Sequence, residues 1–262
     1  MKKRVISAVV AILIALPFVI IGKGLYAFGV GLIALQGYRE ILNLKKTHKP
    51  YPIVIKFIGL IMYLLLIYAD YIDILAFEPY RYLLIIMSLM LLIPSVIYKN
   101  DKYTIQDAFN LIGMIIFLGI GFNSLLLVRN AGLALFIYLV SIPMITDTFA
   151  LLFGSKFGKH KMCPEVSPKK SWEGFFGGLV LGTVIPCLIY GAYVEPMTFK
   201  VVFVTLILSI MGQIGDLLFS KIKRENGIKD FSNIMPGHGG ALDRVDSTLV
   251  IFTSYLYLIA LL

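Results

Sequence analysis

Aspartates at the ends of apolar segments are the residues of this sequence best suited to chemistry. Asp216 closes one apolar run, and Asp243 and Asp246 open the next. Asp243 and Asp246 are three residues apart, so on a helix they share one face and benefit from its positive end. Three carboxylates around one pocket suit a hard cation such as Mg²⁺, which prefers carboxylates together with substrate phosphates and water. The spacing therefore predicts a magnesium site.

The polar connection between these aspartates predicts a phosphate-binding site. Gly239 and Gly240 allow close approach of the backbone, and exposed N–H groups ahead of a helix form a typical anion site. Several basic residues of this connection can neutralise phosphate charges: Lys223, Arg224, Lys229 and Arg244.

Simpler interpretations stay open for some of these residues. Lys221 or Lys223 can serve only to fix membrane topology, and Asp230 fits a turn. His238 is either a loop residue or a donor to phosphate, because a second His or Cys that would make it a metal ligand is absent nearby. A purely structural role is harder to assign to Asp216 and Asp243, since carboxylates at membrane depth are costly.

A second polar connection, residues 154–171, has a similar composition and follows Asp147, another carboxylate in an apolar run. Its glycine, serine and lysine residues again suit phosphate binding, and Ser167, Lys169 and Lys170 are the candidates. The spacing is not that of a Walker A loop. Ser171 can simply cap the following helix, and the lysines can be surface charges. Helix packing is the expected role of the glycines in that helix: Gly177, Gly178 and Gly182.

The elements that must position these residues are membrane helices. The chain has 262 residues, of which 59% are hydrophobic and 15% are charged, against about 45–50% and about 25% in an average soluble domain. This composition excludes a disordered chain and argues against a water-soluble globule. Cys163 and Cys187 are too few for a disulfide framework and lack metal-ligand spacing.

Nine apolar segments approach the length of about 20 residues that a membrane-spanning helix needs. They predict an all-α, polytopic membrane protein. Arg129 to Ala131 alone separate the fifth and sixth segments, which predicts a tight helical hairpin, and Gly22 to Gly24 predict a tight turn. The segments are 5–21, 24–38, 52–69, 81–98, 105–128, 132–153, 172–194, 199–219 and 245–262.

The basic residues predict the orientation of these spans. With a cytoplasmic amino terminus and a first helix that is retained instead of cleaved, twenty of the 24 Lys and Arg residues lie on the inner side. The net charge of +9 is then a topology signal, and nucleic acid is not expected as a partner. Both polar connections open on the same cytoplasmic face.

The run from Ser220 to Asp246 resembles the signature of the phosphatidate cytidylyltransferases, or CDP-diacylglycerol synthases. It reads Ser-x-apolar-Lys-Arg, four residues, Lys-Asp, a spacer, Pro-x-His-Gly-Gly, two residues, and Asp-Arg-apolar-Asp. Met235 and Ala241 are mild departures from the pattern.

The segment 167–174 is similar to a second recurring segment of the family. The motifs begin near Asp147, so we divide the chain into an amino-terminal region, 1–130, and a catalytic region, 131–262.

The resemblance implies a fold, a reaction and partners. Family members are membrane-embedded, magnesium-dependent and dimeric, and they transfer CMP from CTP to phosphatidic acid, which releases pyrophosphate. We therefore expect a cell-membrane enzyme, a homodimer, with its active site facing the cytoplasm.

The residue roles are hypotheses that combine the resemblance with the chemistry above. Asp216 and Asp243 hold Mg²⁺ against the CTP phosphates, and Asp246 supports the metal or its ligands. Asp147 orients a lysine or the cytidine. The triphosphate is bound by Lys229, Arg244 and the backbone of His238, Gly239 and Gly240. The lipid phosphate or the nucleotide is bound by Ser167, Lys169 and Lys170. Further candidates for substrate binding are Ser220, Lys223 and Arg224.

Three other functions are compatible with parts of the pattern. A transporter of an ion or organic anion also has intramembrane carboxylates, but here the polar residues gather at one face and no inverted repeat is visible. A transferase that consumes a CDP-alcohol has an Asp-rich helix signature, which this sequence lacks. A structural scaffold leaves the carboxylates unexplained.

Overall fold

The computed structural model describes residues 2–44, 50–70, 80–98, 102–234 and 239–261. This part of the chain is a bundle of helices with one short β-hairpin. The helices are α1 (Lys2–Ile21), α2 (Lys23–Leu44), α3 (Ile53–Ile67), α4 (Tyr80–Leu92), α5 (Pro94–Ile97), α6 (Ile105–Ala131), α7 (Leu133–Phe157), α8 (Trp172–Tyr193), α9 (Phe199–Glu225) and α10 (Leu242–Leu261).

Helix ends follow local sequence signals. Thr104 and Asp107 form a capping box at the start of α6, and the Ser171 hydroxyl accepts a hydrogen bond from the Gly174 N–H at the start of α8. Gly22 alone joins α1 to α2 with a φ of 70°, a conformation that favours glycine. Gly132 alone joins α6 to α7, so the predicted short connection is confirmed.

Among the described residues, four helices are long and apolar enough to cross a membrane: α6, α7, α8 and α9. Their outward faces carry exposed large apolar side chains, such as Leu151 and Phe176. Such surfaces are typical of a membrane protein. The helices α3 and α4–α5 are apolar but shorter. The count of nine spans and their orientation stay predictions.

The expected polar loop between α7 and α8 contains two antiparallel strands, β1 (Lys161–Cys163) and β2 (Ser167–Ser171), with Lys161 opposite Ser171. The all-α prediction is therefore incomplete here. These polar residues give no clear strand pattern. The hairpin lies between two tightly packed helices, and the Trp172 N–H donates to the His160 carbonyl at its base.

Glycines of α8 set its close packing against α7, as predicted. A Cβ on Gly178 would lie 2.7 Å from the carbonyl oxygen of Thr146, and a Cβ on Gly182 would collide with the Thr146 hydroxyl. Gly177 similarly accommodates Phe153. Since Asp147 follows Thr146, this contact fixes the height of its carboxylate along the bundle.

The helices α9 and α10 pack antiparallel. A Cβ on Gly212 would meet Ile251, and a Cβ on Gly215 would meet Val250 and lie 3.5 Å from the Ser247 Cα. Asp216 therefore lies beside the first turns of α10. Ring contacts join the predicted regions 1–130 and 131–262, for example Phe117 with Phe219. Both regions contribute to one buried core, and the division stays a prediction.

The cysteines behave as expected. Both are free, and Cys187 is buried, with its thiol 3.3 Å from the Thr205 hydroxyl.

Candidate active site

A cavity of about 300 Å³ lies where α7, α8 and α9 meet the β-hairpin. Among its lining residues are four that the sequence singled out: Asp147, Lys169, Lys170 and Asp216. A larger cavity, about 770 Å³, lies between α2 and α3 and contains none of the predicted residues. The smaller cavity is therefore the candidate active site.

An ion pair between the two motif-bearing segments crosses this cavity. The Lys170 ammonium lies 2.7 Å from an Asp216 carboxylate oxygen, and both side chains are partly exposed. Lys170 also lies 3.4 Å from the carbonyl oxygen of Gln213, and the Ser220 hydroxyl donates to Asp216 at 3.4 Å. Lys170 therefore lines the cavity, and the interpretation that it is only a surface charge is wrong.

Three carboxylates share this electrostatic environment. The charge of Asp147 interacts with those of Asp216 and Lys170, and the charge of Asp246 interacts with those of Asp216, Lys223 and Asp147. Asp246 accepts a hydrogen bond from the Ser247 N–H at 2.8 Å. The three carboxylates outnumber the two lysines Lys170 and Lys223 in this environment, and an excess of negative charge favours the binding of a cation.

Asp243 has different surroundings. Its side chain is 3% exposed and lies 2.6 Å from the Lys223 ammonium. It also accepts hydrogen bonds from the backbone N–H groups of Phe231 and Gly240 at 2.9 and 2.8 Å. These bonds use three of the roughly four acceptor positions of a carboxylate. In this arrangement Asp243 holds the connection between α9 and α10 to the end of α9.

The predicted metal triad is consequently not assembled as a ready ligand set. Within the described ranges, no group of three His, Cys, Asp or Glu side chains has a metal-binding arrangement. Two of the predicted carboxylates are instead paired with lysines, Asp216 with Lys170 and Asp243 with Lys223. The oxygen-donor chemistry still fits Mg²⁺, and the assignment stays a prediction.

The expected anion site at Gly239–Gly240 needs a correction. Gly239 has a φ of 84°, and both glycines are buried. The Gly240 N–H donates to Asp243, and the next two N–H groups, of Ala241 and Leu242, donate to Glu40 at 2.9 Å each. Protein carboxylates therefore take the N–H groups that we expected to find exposed.

The other predicted residues occupy varied positions. Arg224 donates to the carbonyl oxygens of Val166 and Ile228 at 3.3 and 3.0 Å. Ser167 and Ser220 are half-buried, Lys169, Lys229 and Arg244 are exposed, and His238 lies outside the described residues.

Two polar residues that were not predicted from the sequence contact the cavity or the start of α10. Gln213 is 5% exposed, lines the cavity and donates to the Phe175 carbonyl. Glu40 is fully buried against the start of α10. Each is a polar residue beside or within an apolar run, which is the signal that identified the aspartates. The predicted second segment ends at residue 38, whereas α2 continues to Leu44. Glu40 therefore falls outside the predicted span.

Apolar helices with a pocket of carboxylates and lysines define the class of helical membrane proteins. The chain matches the model of the cytidylyltransferase family over residues 2–262. It is 35% identical over 254 residues to the phosphatidate cytidylyltransferase of Staphylococcus aureus (strain COL), and the match covers 96% of each chain. The phosphatidate cytidylyltransferases of Staphylococcus haemolyticus and Staphylococcus epidermidis are also 35% identical, with the same coverage.

The chain therefore belongs to the cytidylyltransferase family, and the resemblance drawn from its motifs is confirmed. The match spans the whole described molecule, including α1 to α5, where the sequence motifs gave no support.

Proposed function

We propose that this protein is a membrane cytidylyltransferase that converts CTP and phosphatidic acid into CDP-diacylglycerol and pyrophosphate. Relatives of this name match nearly the whole chain. One observation supports a particular site for this reaction. In the cavity, Lys170 of the segment 167–174 pairs with Asp216, which lies just before the run from Ser220 to Asp246. The comparisons give no support to the alternative of a transporter.

The reaction needs positioning more than it needs a base. A phosphate oxygen of phosphatidic acid attacks the α-phosphorus of CTP, and the bond from that phosphorus to the oxygen of the β-phosphate breaks. The attacking oxygen is already anionic near neutral pH, so no strong base is required. The main demands are alignment of the two phosphates and neutralisation of their charge.

We propose Asp216, with Asp246 and the neighbouring Asp147, as the oxygen donors for Mg²⁺. Their mutual electrostatic interaction supports this choice. Asp243 is the third carboxylate of the motif and has about one acceptor position left beside Lys223. When bound, Mg²⁺ stabilises negative charge on the reacting and leaving phosphates.

Basic residues around the cavity supply the remaining charge neutralisation. Lys170 can exchange its bond with Asp216 for one with a substrate phosphate, because both side chains are partly exposed. Lys169 lines the same cavity, and Arg244 is exposed at the start of α10. These positions suit contacts with the triphosphate or with the lipid phosphate.

The membrane placement is part of the proposal. Leu151 lines the cavity and is 69% exposed, which would let acyl chains lie along α7 while the headgroup enters. We propose the cell membrane as the location, with the cavity on the cytoplasmic side, where CTP is available, and a homodimer as the assembly.

The proposal is tested with purified protein in detergent, labelled CTP and phosphatidic acid. Labelled CDP-diacylglycerol and an equal amount of pyrophosphate are expected in the presence of Mg²⁺, and EDTA should remove the activity until Mg²⁺ is added back. A folded protein that yields no lipid-linked nucleotide would refute the proposed reaction. Activity that persists after complete chelation would refute the magnesium site.

A further inference from the structure

Glu40 of α2 is a buried carboxylate with four hydrogen-bond partners around the motif-bearing connection. It is 0% exposed. It accepts hydrogen bonds from the Ser232 hydroxyl at 2.7 Å and from the Ala241 and Leu242 N–H groups at 2.9 Å each. Gln36, one turn earlier on α2, donates at 3.1 Å. Three of the donors lie about 200 residues away in sequence, so α2 contributes directly to the arrangement of the catalytic region.

The negative charge of Glu40 is compensated by a helix end. All four donors are neutral groups, and two of them are backbone N–H groups at the first turn of α10. A carboxylate at this position satisfies donors that have no partner within the helix and interacts favourably with its positive end. Burial of a carboxylate is tolerated only when its oxygens are bonded in this way.

Gly240 of the motif makes the contact possible. A Cβ on Gly240 would lie 2.5 Å from one Glu40 oxygen and 2.8 Å from the other. A side chain at this position would displace the carboxylate from the start of α10. The glycine is therefore required by Glu40, in addition to any role in binding phosphate.

Glu40 also holds both sides of the connection. Ser232 follows α9, and Ala241 and Leu242 begin α10. Asp243 makes a parallel set of bonds to Phe231, Gly240 and Lys223. The two carboxylates together set where α10 begins relative to α9, and hence where Asp246 lies beside the Gly215–Asp216 turn of α9.

We propose that Glu40 is a positioning residue for nucleotidyl transfer, which fixes the start of α10 and with it the position of Asp246 beside Asp216. This inference rests on the proposed cytidylyltransferase function. It assigns a catalytic contribution to the amino-terminal region, which holds none of the recognised motifs.

The test uses Glu40→Gln in the full-length protein. The amide keeps the size of the side chain but places an NH₂ group against backbone N–H donors, so one hydrogen bond is lost and a repulsion is added. We expect kcat to fall about 10- to 100-fold, in line with the loss of one or two hydrogen bonds in a positioned site, while KM for phosphatidic acid stays within about twofold. Ser232→Ala removes one bond only and should lower kcat less.

Two further measurements separate positioning from general stability. Hydrogen–deuterium exchange of residues 239–246 should rise in Glu40→Gln, and exchange in α8 should not change. Glu225→Gln is the matched control, because Glu225 is exposed and pairs with Lys221 on the same helix; it should leave exchange and kcat unaltered.

The outcomes distinguish the possibilities. If kcat per folded molecule of Glu40→Gln equals that of the unaltered protein, the positioning role is wrong, whether or not exchange rises. If exchange in residues 239–246 does not rise, the proposed contact is wrong. If the unaltered protein has no activity, the proposed function is wrong. A rise in exchange in Glu40→Gln would then support only the structural contact between Glu40 and the start of α10.

Discussion

At the scale of single residues, two lysine–aspartate pairs of the same chemistry have different roles because their surroundings differ. The Lys170–Asp216 pair lies in a cavity with side chains 26% and 29% exposed, whereas the Lys223–Asp243 pair is 10% and 3% exposed. Lys223 also lies over the Phe231 ring. Partners of an accessible pair can be exchanged for substrate or metal, whereas a buried pair resists opening because an uncompensated charge would remain.

Replacement of Asp216 by Asn tests the accessible carboxylate. The amide retains the shape and loses the charge that a divalent cation requires, so turnover should fall at least about 1,000-fold, the scale of loss for one dominant electrostatic contact. The melting temperature in detergent should stay close to that of the unaltered protein. Glu225→Gln, at an exposed site on the same helix, should retain full activity; near-normal turnover in Asp216→Asn would contradict the proposed role.

Lys170→Met and Lys223→Met form a matched test of the two pairs. Lys223→Met leaves the Asp243 charge buried without its ion pair, which should lower the free energy of unfolding by about 3–5 kcal/mol. Lys170→Met should change stability by less than about 1 kcal/mol, because the pair is partly exposed and water can solvate the remaining charge, yet it should remove most of the activity. Chemical denaturation in detergent measures both variants.

A partial recovery of stability in the double variant Lys223→Met/Asp243→Asn would show that the unpaired charge is the cause. Equal loss of stability in the two single lysine variants would contradict the distinction between the pairs.

At the scale of elements, the sequence predicted where helices form. It did not predict the hairpin between α7 and α8 or the contacts between distant segments. Each apolar segment predicted a helix because burial in an apolar medium leaves backbone groups no alternative to internal hydrogen bonds. The hairpin β1–β2 was missed because its pairing is determined by the helix ends that it joins. The role of Glu40 could not be predicted because three of its partners are about 200 residues away, and nothing in the local sequence indicates them.

Glycine substitutions test whether the α7–α8 contact positions Asp147. Gly178→Ala places a Cβ 2.7 Å from the Thr146 carbonyl oxygen, so the helices must separate; Gly113 on α6 has no atom within 4 Å of an added Cβ. Gly178→Ala should lower both thermal stability and kcat, whereas Gly113→Ala should be neutral or stabilising by up to about 1 kcal/mol, since alanine is the better helix former.

Thermal melting and the CTP assay compare the two alanine variants directly. If Gly178→Ala were as stable and as active as Gly113→Ala, the packing argument would be wrong.

At the scale of the whole molecule, the candidate site lies where the carboxyl-terminal parts of α7 and α9 meet the hairpin and the first turns of α8. The first turns of α10 pack beside the Gly215–Asp216 turn of α9. Helices that alternate in direction place these ends on one side, so the convergence of Asp147, Lys170, Asp216 and Asp246 follows from the span order. The sequence could predict which residues converge for this reason. It could not predict which lysine pairs with which aspartate, because that depends on side-chain geometry across the bundle.

The side of the membrane on which this site lies is tested by labelling single cysteines. Two exposed lysines suit this test. Lys159 lies beside the hairpin, and Lys200 lies in the first turn of α9, at the end of that helix away from Asp216. In a background with Cys163→Ser and Cys187→Ala, Lys200→Cys should react with a membrane-impermeant maleimide on intact cells. Lys159→Cys should react only after permeabilisation, because the excess of basic residues on its side predicts a cytoplasmic location.

Retention of activity in each cysteine variant would show that the labelled molecules are folded. The reverse labelling pattern would place the cavity outside the cell, away from the CTP pool, and would contradict the proposed substrate as well as the orientation. Labelling of both positions on intact cells would mean that α9 does not cross the membrane, which its 27 residues and apolar composition lead us to expect.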